Sequence, residues 1–175
     1  MQDAWEALED TELLFMTRTG PTELDPAPAG GGGTSTTLIP TDRLDWGANP
    51  IADGPPCIEV ALMRRHPATG EMSALVRETG ANEYPVFEYH ECVEEVFFLD
   101  GWLTLQNSET EGGDMRPGSY FWRPAYVTHG QSRSCDSLYY VYTDSALVNR
   151  RADGFHRTAQ DNRLERERAI AAGAG

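Results

Sequence analysis

Basic residues are scarce in this chain: 14 Lys and Arg stand against 28 Asp and Glu, a formal charge of −14 over 175 residues. That deficit argues against nucleic acid and anionic membrane surfaces as partners, because both attract basic patches. Cysteine is scarce too. Cys57, Cys92 and Cys135 make an odd number with no CxxC spacing, so no disulfide framework is expected and a reducing cytoplasm is the expected compartment. No apolar run approaches a membrane span. The opening residues carry Asp3, Glu6, Glu9 and Asp10, the wrong charge for a signal or transit peptide. No internal repeat is visible, so one barrel rather than two is expected.

What is present is concentrated in one stretch, Glu88-Tyr89-His90-Glu91-Cys92-Val93-Glu94-Glu95, which runs directly into Val96-Phe97-Phe98-Leu99-Asp100-Gly101. The apolar continuation wants burial. Side chains on a strand alternate faces, so Glu88, His90, Cys92 and Glu94 share one side if the stretch is extended. Carboxylates and an imidazole on one buried face need a cation or several hydrogen-bond donors. About thirty residues on, Pro117-Gly118-Ser119-Tyr120-Phe121-Trp122-Arg123-Pro124 reads as turn, aromatic strand and turn. His129 follows, and then the strand Leu138-Tyr139-Tyr140-Val141-Tyr142.

Around these stretches the chain divides into three. Residues 1–37 form an arm, with an amphipathic helix expected over 1–19 and a Pro/Gly-rich linker over 20–36. Residues 38–145 carry short strands every eight to twelve residues, with Gly, Pro, Asn and Asp between them, the pattern of an all-β barrel or sandwich. Within it, Cys57–Met63 and Glu71–Glu78 are expected to pair across a turn at residues 66–70, with Met72, Ala74 and Val76 on one face. Residues 79–85 are read as a connection, and Val96–Leu105 as a strand broken at Gly101. Beyond Asp144 the strand pattern stops. Residues 146–175 are read as a helical extension, strongest over Asp161–Ala172.

The two central stretches resemble the two sequence motifs of the cupin superfamily. The first motif is His-x-His, three or four residues, Glu, six residues, Gly; His90, Glu94 and Gly101 fit its spacing. The second is Gly, five residues, Pro, x, Gly, two residues, His, three residues, Asn; Gly118, Pro124 and His129 fit it. Three positions depart from the pattern. Glu88 replaces the first His, Tyr126 replaces the Gly after the Pro, and Arg133 replaces the final Asn. The resemblance covers roughly residues 58–143 and is similar in flavour to the zinc-binding cupin domain of anti-sigma factors and to small cupin dioxygenases.

It implies an all-β, double-stranded β-helix (jelly-roll) barrel with short N- and C-terminal helical extensions. It also implies one divalent metal ion held by His90, Glu94 and His129, with Glu88 as fourth ligand or as a general base. Two imidazoles with one or two carboxylates suit Fe(II), Mn(II), Ni(II) or Zn(II), and iron is favoured by the open two-His-one-carboxylate face of non-haem oxygenases. The expected activity is that of a dioxygenase on a small aromatic or carbonyl-bearing substrate. The rivals are a non-redox isomerase, lyase or hydrolase using Glu88 as base, and a non-catalytic metal- or ligand-sensing cupin.

Tyr126 is expected at the pocket rim, with Glu88 a catalytic candidate. Cys92 is expected as a small apolar filler, and Glu95, of opposite parity, faces outward. Tyr120, Trp122, Tyr126, Tyr140 and Tyr142 are read mainly as core. Arg64, Arg65, Arg77, Arg116 and Arg123 are equal candidates for a substrate carboxylate or for the surface. A homodimer is expected, because cupins pair through barrel edges and an edge strand needs covering.

Overall fold

Period-two alternation builds one antiparallel sheet of eight strands. The computed structural model describes residues 44–48, 58–106 and 112–173; the helix expected over 1–19, the linker and the strand beginning at Leu38 lie outside them. The strands are β1 (Trp46–Ala48), β2 (Ile58–Arg65), β3 (Met72–His90), β4 (Glu94–Gln106), β5 (Gly112–Met115), β6 (Tyr120–Arg123), β7 (His129–Thr143) and β8 (Asn149–Ala152), followed by helix α1 (Ala159–Ala171). The spatial order is β1-β2-β3-β7-β4-β5, with β6 also on β4 and β8 also on β3. No helix among the described residues is long and apolar enough to cross a membrane.

Met72, Ala74 and Val76 do share the inward face. With Val60, Val96 and Val141 they form the core cluster, and Ile58, Phe121, Tyr139 and Leu147 pack against it. Each Val or Met side chain buried there contributes about 1.5–3 kcal/mol relative to exposure. These side chains come from β2, β3, β4 and β7, so the core itself holds the faces of the sheet together.

Three local expectations are corrected. Residues 79–85 are not a connection. They continue β3, paired with β7 from Ala81 on Cys135 to Tyr84 on Ser132. Their polar composition hid the strand, and the register shifts between Glu78 and Ala81 and between Tyr84 and Phe87 let Pro85 sit where a ladder bond is missing. The strand at Gly101 bends without ending. Gly101 has φ +78°, and a Cβ there would collide with the Asp136 carbonyl, so only glycine lets β4 cross β7 at that point. The region after Asp144 is not strand-free, because β8 pairs with Phe87–His90 of β3. Its sequence, Asn-Arg-Arg-Ala, has no alternation to read; an open edge of β3 makes it a strand.

The expected C-terminal helix is present. Thr158 caps it through a reciprocal capping box with Asp161. Its one fully buried side chain is Asn162, 1% exposed.

Candidate metal centre

Sheet register assembles the site. Glu88 and His90 are two residues apart on β3 and share a face. Glu88 lies directly opposite His129, the first residue of β7. The segment bearing Glu88 and His90 is gripped on its other side by β8. The outcome is a cluster in which one ligand atom each from Glu88, His90 and His129 lies within 4.8 Å of the others. His129 Nε2 stands 3.7 Å from Glu88 Oε1, and the two imidazole centroids are 4.6 Å apart. These gaps are too long for direct hydrogen bonds and suit donors arranged around a shared ion.

The protonation pattern agrees. His129 Nδ1 donates to the Val127 carbonyl at 3.1 Å, which leaves the Nε2 lone pair for a ligand. Burial holds His129 well below the usual imidazole range, reinforced by the positive charge of Arg123 and by His90. Burial also lowers His90, opposed by Glu94 and aided by Arg123. Both rings are therefore neutral, the form that binds metal. Burial first, and then the Glu94 charge, pushes the Glu88 carboxyl up to about 7, against the pull of Arg151, Arg123 and a hydrogen bond from Tyr84. Its Oε2 has no hydrogen-bond partner among the described residues. A buried carboxylate oxygen without a donor, beside two neutral imidazoles, is a place where a cation fits.

Glu94 lies outside that trio. Its Oε2 is 3.8 Å from His90 Nε2 and forms a buried ion pair with Arg123 Nη1. The pair follows from register, since Glu94 on β4 is opposite Arg123 on β6. Arg123 is 6% exposed, its guanidinium lies 4.7 Å over the Phe121 ring, and its Nη2 has no partner among the described residues. Of the five arginine candidates, the sequence could have singled it out. β6 alternates, and with Phe121 inward, Arg123 is inward too. The same parity turns Tyr120 and Trp122 outward, 54% and 56% exposed, so the expectation that they are core is corrected. Tyr139, half-buried and on the same side as Val141, packs against the core instead, and Phe98 is the fully buried aromatic.

Tyr126 is not among the residues that line the cavity. Its ring leans on Tyr89 at 6.2 Å. Its backbone is what the site uses. Tyr126 has φ +69°, the left-handed conformation that the family's glycine would supply, and its N–H donates to the His90 carbonyl at 2.7 Å. Asn162 Nδ2 then donates to the Tyr126 carbonyl and to Thr128 Oγ1, both at 2.9 Å. A helix beyond the barrel thus pins the loop that delivers His129. Arg150 and Arg166 both reach Glu91 at 2.7 Å, tying β8 and α1 to the turn after His90. Sequence reading missed Asn162, because one Asn in a charged helix looks like surface.

Two neighbours behave as read. Cys92 is buried, its thiol pushed up to about 12 by burial and by Glu94 and Asp144, so it packs as a filler. Glu95 faces outward and accepts from the Tyr120 hydroxyl at 3.1 Å.

The cluster opens on a cavity of about 150 Å³. Val60, Val96, Leu103, Phe121, Val141 and Leu147 give its walls an apolar character; Glu88, His90, Glu94, His129, Arg123 and the Glu78–Tyr139 pair supply polar groups. Glu78 is itself satisfied, accepting from Tyr139 at 2.9 Å and from Ser134.

The antiparallel sheet, with a His/Glu cluster on its inner face, has a cupin-like fold. Residues 34–150 match the family described as Domain of unknown function (DUF4437), and the chain belongs to it. No curated protein matches. Among solved structures, a candidate acetylacetone dioxygenase of Methylibium petroleiphilum PM1 is 18% identical, with 64% of this chain and 78% of that one covered and a TM-score of 0.50. A candidate dioxygenase of Nostoc punctiforme is 16% identical over 60% of this chain, with a TM-score of 0.51, and only 35% of that longer chain is spanned. An RmlC-like cupin of Shewanella frigidimarina is 13% identical, with 63% and 93% covered and a TM-score of 0.46. These likenesses concern the fold.

Proposed function

We propose that the protein is a metal-dependent cupin enzyme, a mononuclear non-haem Fe(II) dioxygenase acting on a small aromatic or carbonyl-bearing molecule. The observation that carries this reading is the convergence of Glu88, His90 and His129 on a small apolar cavity. With Glu94 engaged by Arg123, the free donors are two imidazoles and one carboxylate, the set that leaves one face of the ion open. When bound, the iron supplies Lewis acidity and redox chemistry toward O2. The chain's own contribution is positional. Val127 fixes the His129 tautomer, Asn162 and Tyr126 hold the loop, and the apolar walls exclude water. Tyr126 acts here through its backbone rather than its ring. Manganese, nickel and zinc are the alternative ions.

A second reading keeps the metal but makes Glu88 a general base in a non-redox reaction. A carboxyl poised at about 7 is suited to proton transfer near neutral pH. Glu88→Gln separates the two: retained metal with lost turnover supports the base, lost metal supports the ligand. The principal test is metal content of anaerobically purified protein, with His90→Ala/His129→Ala as control, followed by oxygen uptake with carbonyl-bearing and aromatic compounds. Stoichiometric iron and substrate-dependent uptake are expected. Absence of metal in the wild type would overturn the reading.

A homodimer belongs to the same proposal. It is supported by the exposed Tyr120 and Trp122 on β6, and light scattering at several concentrations that found only monomer would reject it. We propose the cytoplasm as its compartment, on the three cysteines without CxxC spacing.

A further inference from the structure

We infer that the cavity takes a small organic monoanion, a carboxylate or enolate, and that Arg123 is the residue that recognises its negative oxygen. The inference rests on the metal-dependent reading above and names the substrate class. Its first support is charge at the ion. Glu94 is paired with Arg123, so the ion faces one carboxylate, Glu88, and two imidazoles. A divalent ion so held keeps positive charge at its open face, within apolar walls where charge is poorly screened. Glu78, whose carboxylate also lines the cavity, disfavours a dianion.

The second support is the unused donor. Arg123 gives Nη1 to Glu94, while Nη2 is buried and has no partner among the described residues. An unpaired buried guanidinium nitrogen costs about 1–3 kcal/mol or more until an acceptor arrives. The side chain lines the cavity together with the three candidate ligands. An anion with one oxygen toward the ion could place a second on Nη2, the fixed-fork geometry at which Arg excels. The Phe121 ring beneath the guanidinium holds its plane. The apolar walls receive the remainder of a molecule that a cavity of about 150 Å³ keeps to roughly the size of one ring.

The test uses benzoate and benzamide, which share a shape and differ in charge, titrated calorimetrically into the full chain loaded with zinc. Benzoate is expected to bind at least tenfold more tightly than benzamide. Arg123→Gln should abolish most of that preference. Because this variant leaves Glu94 buried without its cation, the Arg123→Gln/Glu94→Gln double variant is measured beside it and should show the same loss. Equal binding of the two probes to zinc-loaded wild type, or full retention of the preference in the double variant, would overturn the inference and leave the metal reading intact. Failure to take up stoichiometric zinc would overturn the metal reading, and this inference with it.

Discussion

Glu88 should make the metal-free protein less stable as pH rises. Its carboxyl is pushed from 4.5 to about 7 in the fold, first by burial and then by Glu94, and only 12% of its side chain is exposed. Between those two values the folded protein keeps a proton that the unfolded chain has released. Stability therefore falls with rising pH across this window, by about 3 kcal/mol in all. His90 and His129 act with the opposite sign. Burial depresses both, so their contribution is complete above the unfolded value of 6.5 and is lost as pH falls below it.

The two trends overlap, and a single pH profile would blur them. The difference between wild type and Glu88→Gln isolates the carboxylate. Urea unfolding of both proteins in chelator, from about pH 4.5 to about pH 8, should show the variant gaining about 3 kcal/mol relative to wild type. A difference constant within about 0.5 kcal/mol across that range would refute the burial argument. Metal reverses the penalty, because binding displaces the same proton. Apparent affinity should climb about tenfold per pH unit below about 7 on account of Glu88 and should flatten above it.

Three further outcomes follow from the packing. Asn162→Ala removes the donor shared by the Tyr126 carbonyl and Thr128; it should cost about 1–3 kcal/mol and weaken metal binding about tenfold or more, read by melting and by chelator competition. A variant that melts lower but binds metal as before would confine Asn162 to a stabilising role. Arg123→Met strands the Glu94 carboxylate and should cost about 3–5 kcal/mol, while Arg123→Met/Glu94→Met recovers most of it; denaturant midpoints decide this, and additive losses would deny the pair. Gly130→Ala places a Cβ against the Val86 carbonyl at φ +134°, beside His129. It should destabilise by about 2 kcal/mol or more, and wild-type stability in this variant would contradict the described backbone.

What could be read from the sequence is what depends on short spacing. Glu88 and His90 share a face because strands alternate, and His129 follows a Pro turn at a fixed distance, so their gathering was legible, although the sequence pattern ranked Glu94 ahead of Glu88 as the carboxylate ligand. Glu94 was read as a metal ligand and not as the partner of Arg123, because that partner is 29 residues away and meets it only through the β4–β6 register. Asn162 and β8 were illegible for a related reason. Their burial is set by an open edge of β3 and by unsatisfied groups on the 124–128 loop, and neither leaves a mark in the local pattern.

The Glu94–Arg123 pair also bears on the charge that Glu88 brings to the proposed site. The family pattern offers three imidazoles and one carboxylate, which with a divalent ion sum to +1. Glu88 in place of a histidine would lower that sum to zero. Arg123 raises it again to +1. In the proposed site Arg123 on β6 thus offsets the charge that Glu88 carries on β3. On this view Glu88 and Arg123 are coupled. Glu88→His, which restores the pattern's third imidazole, should raise the site by one positive charge with Arg123 in place and should increase the benzoate-to-benzamide preference of zinc-loaded protein. If Glu88→His alone leaves that preference unchanged, charge balance is not what links the two positions.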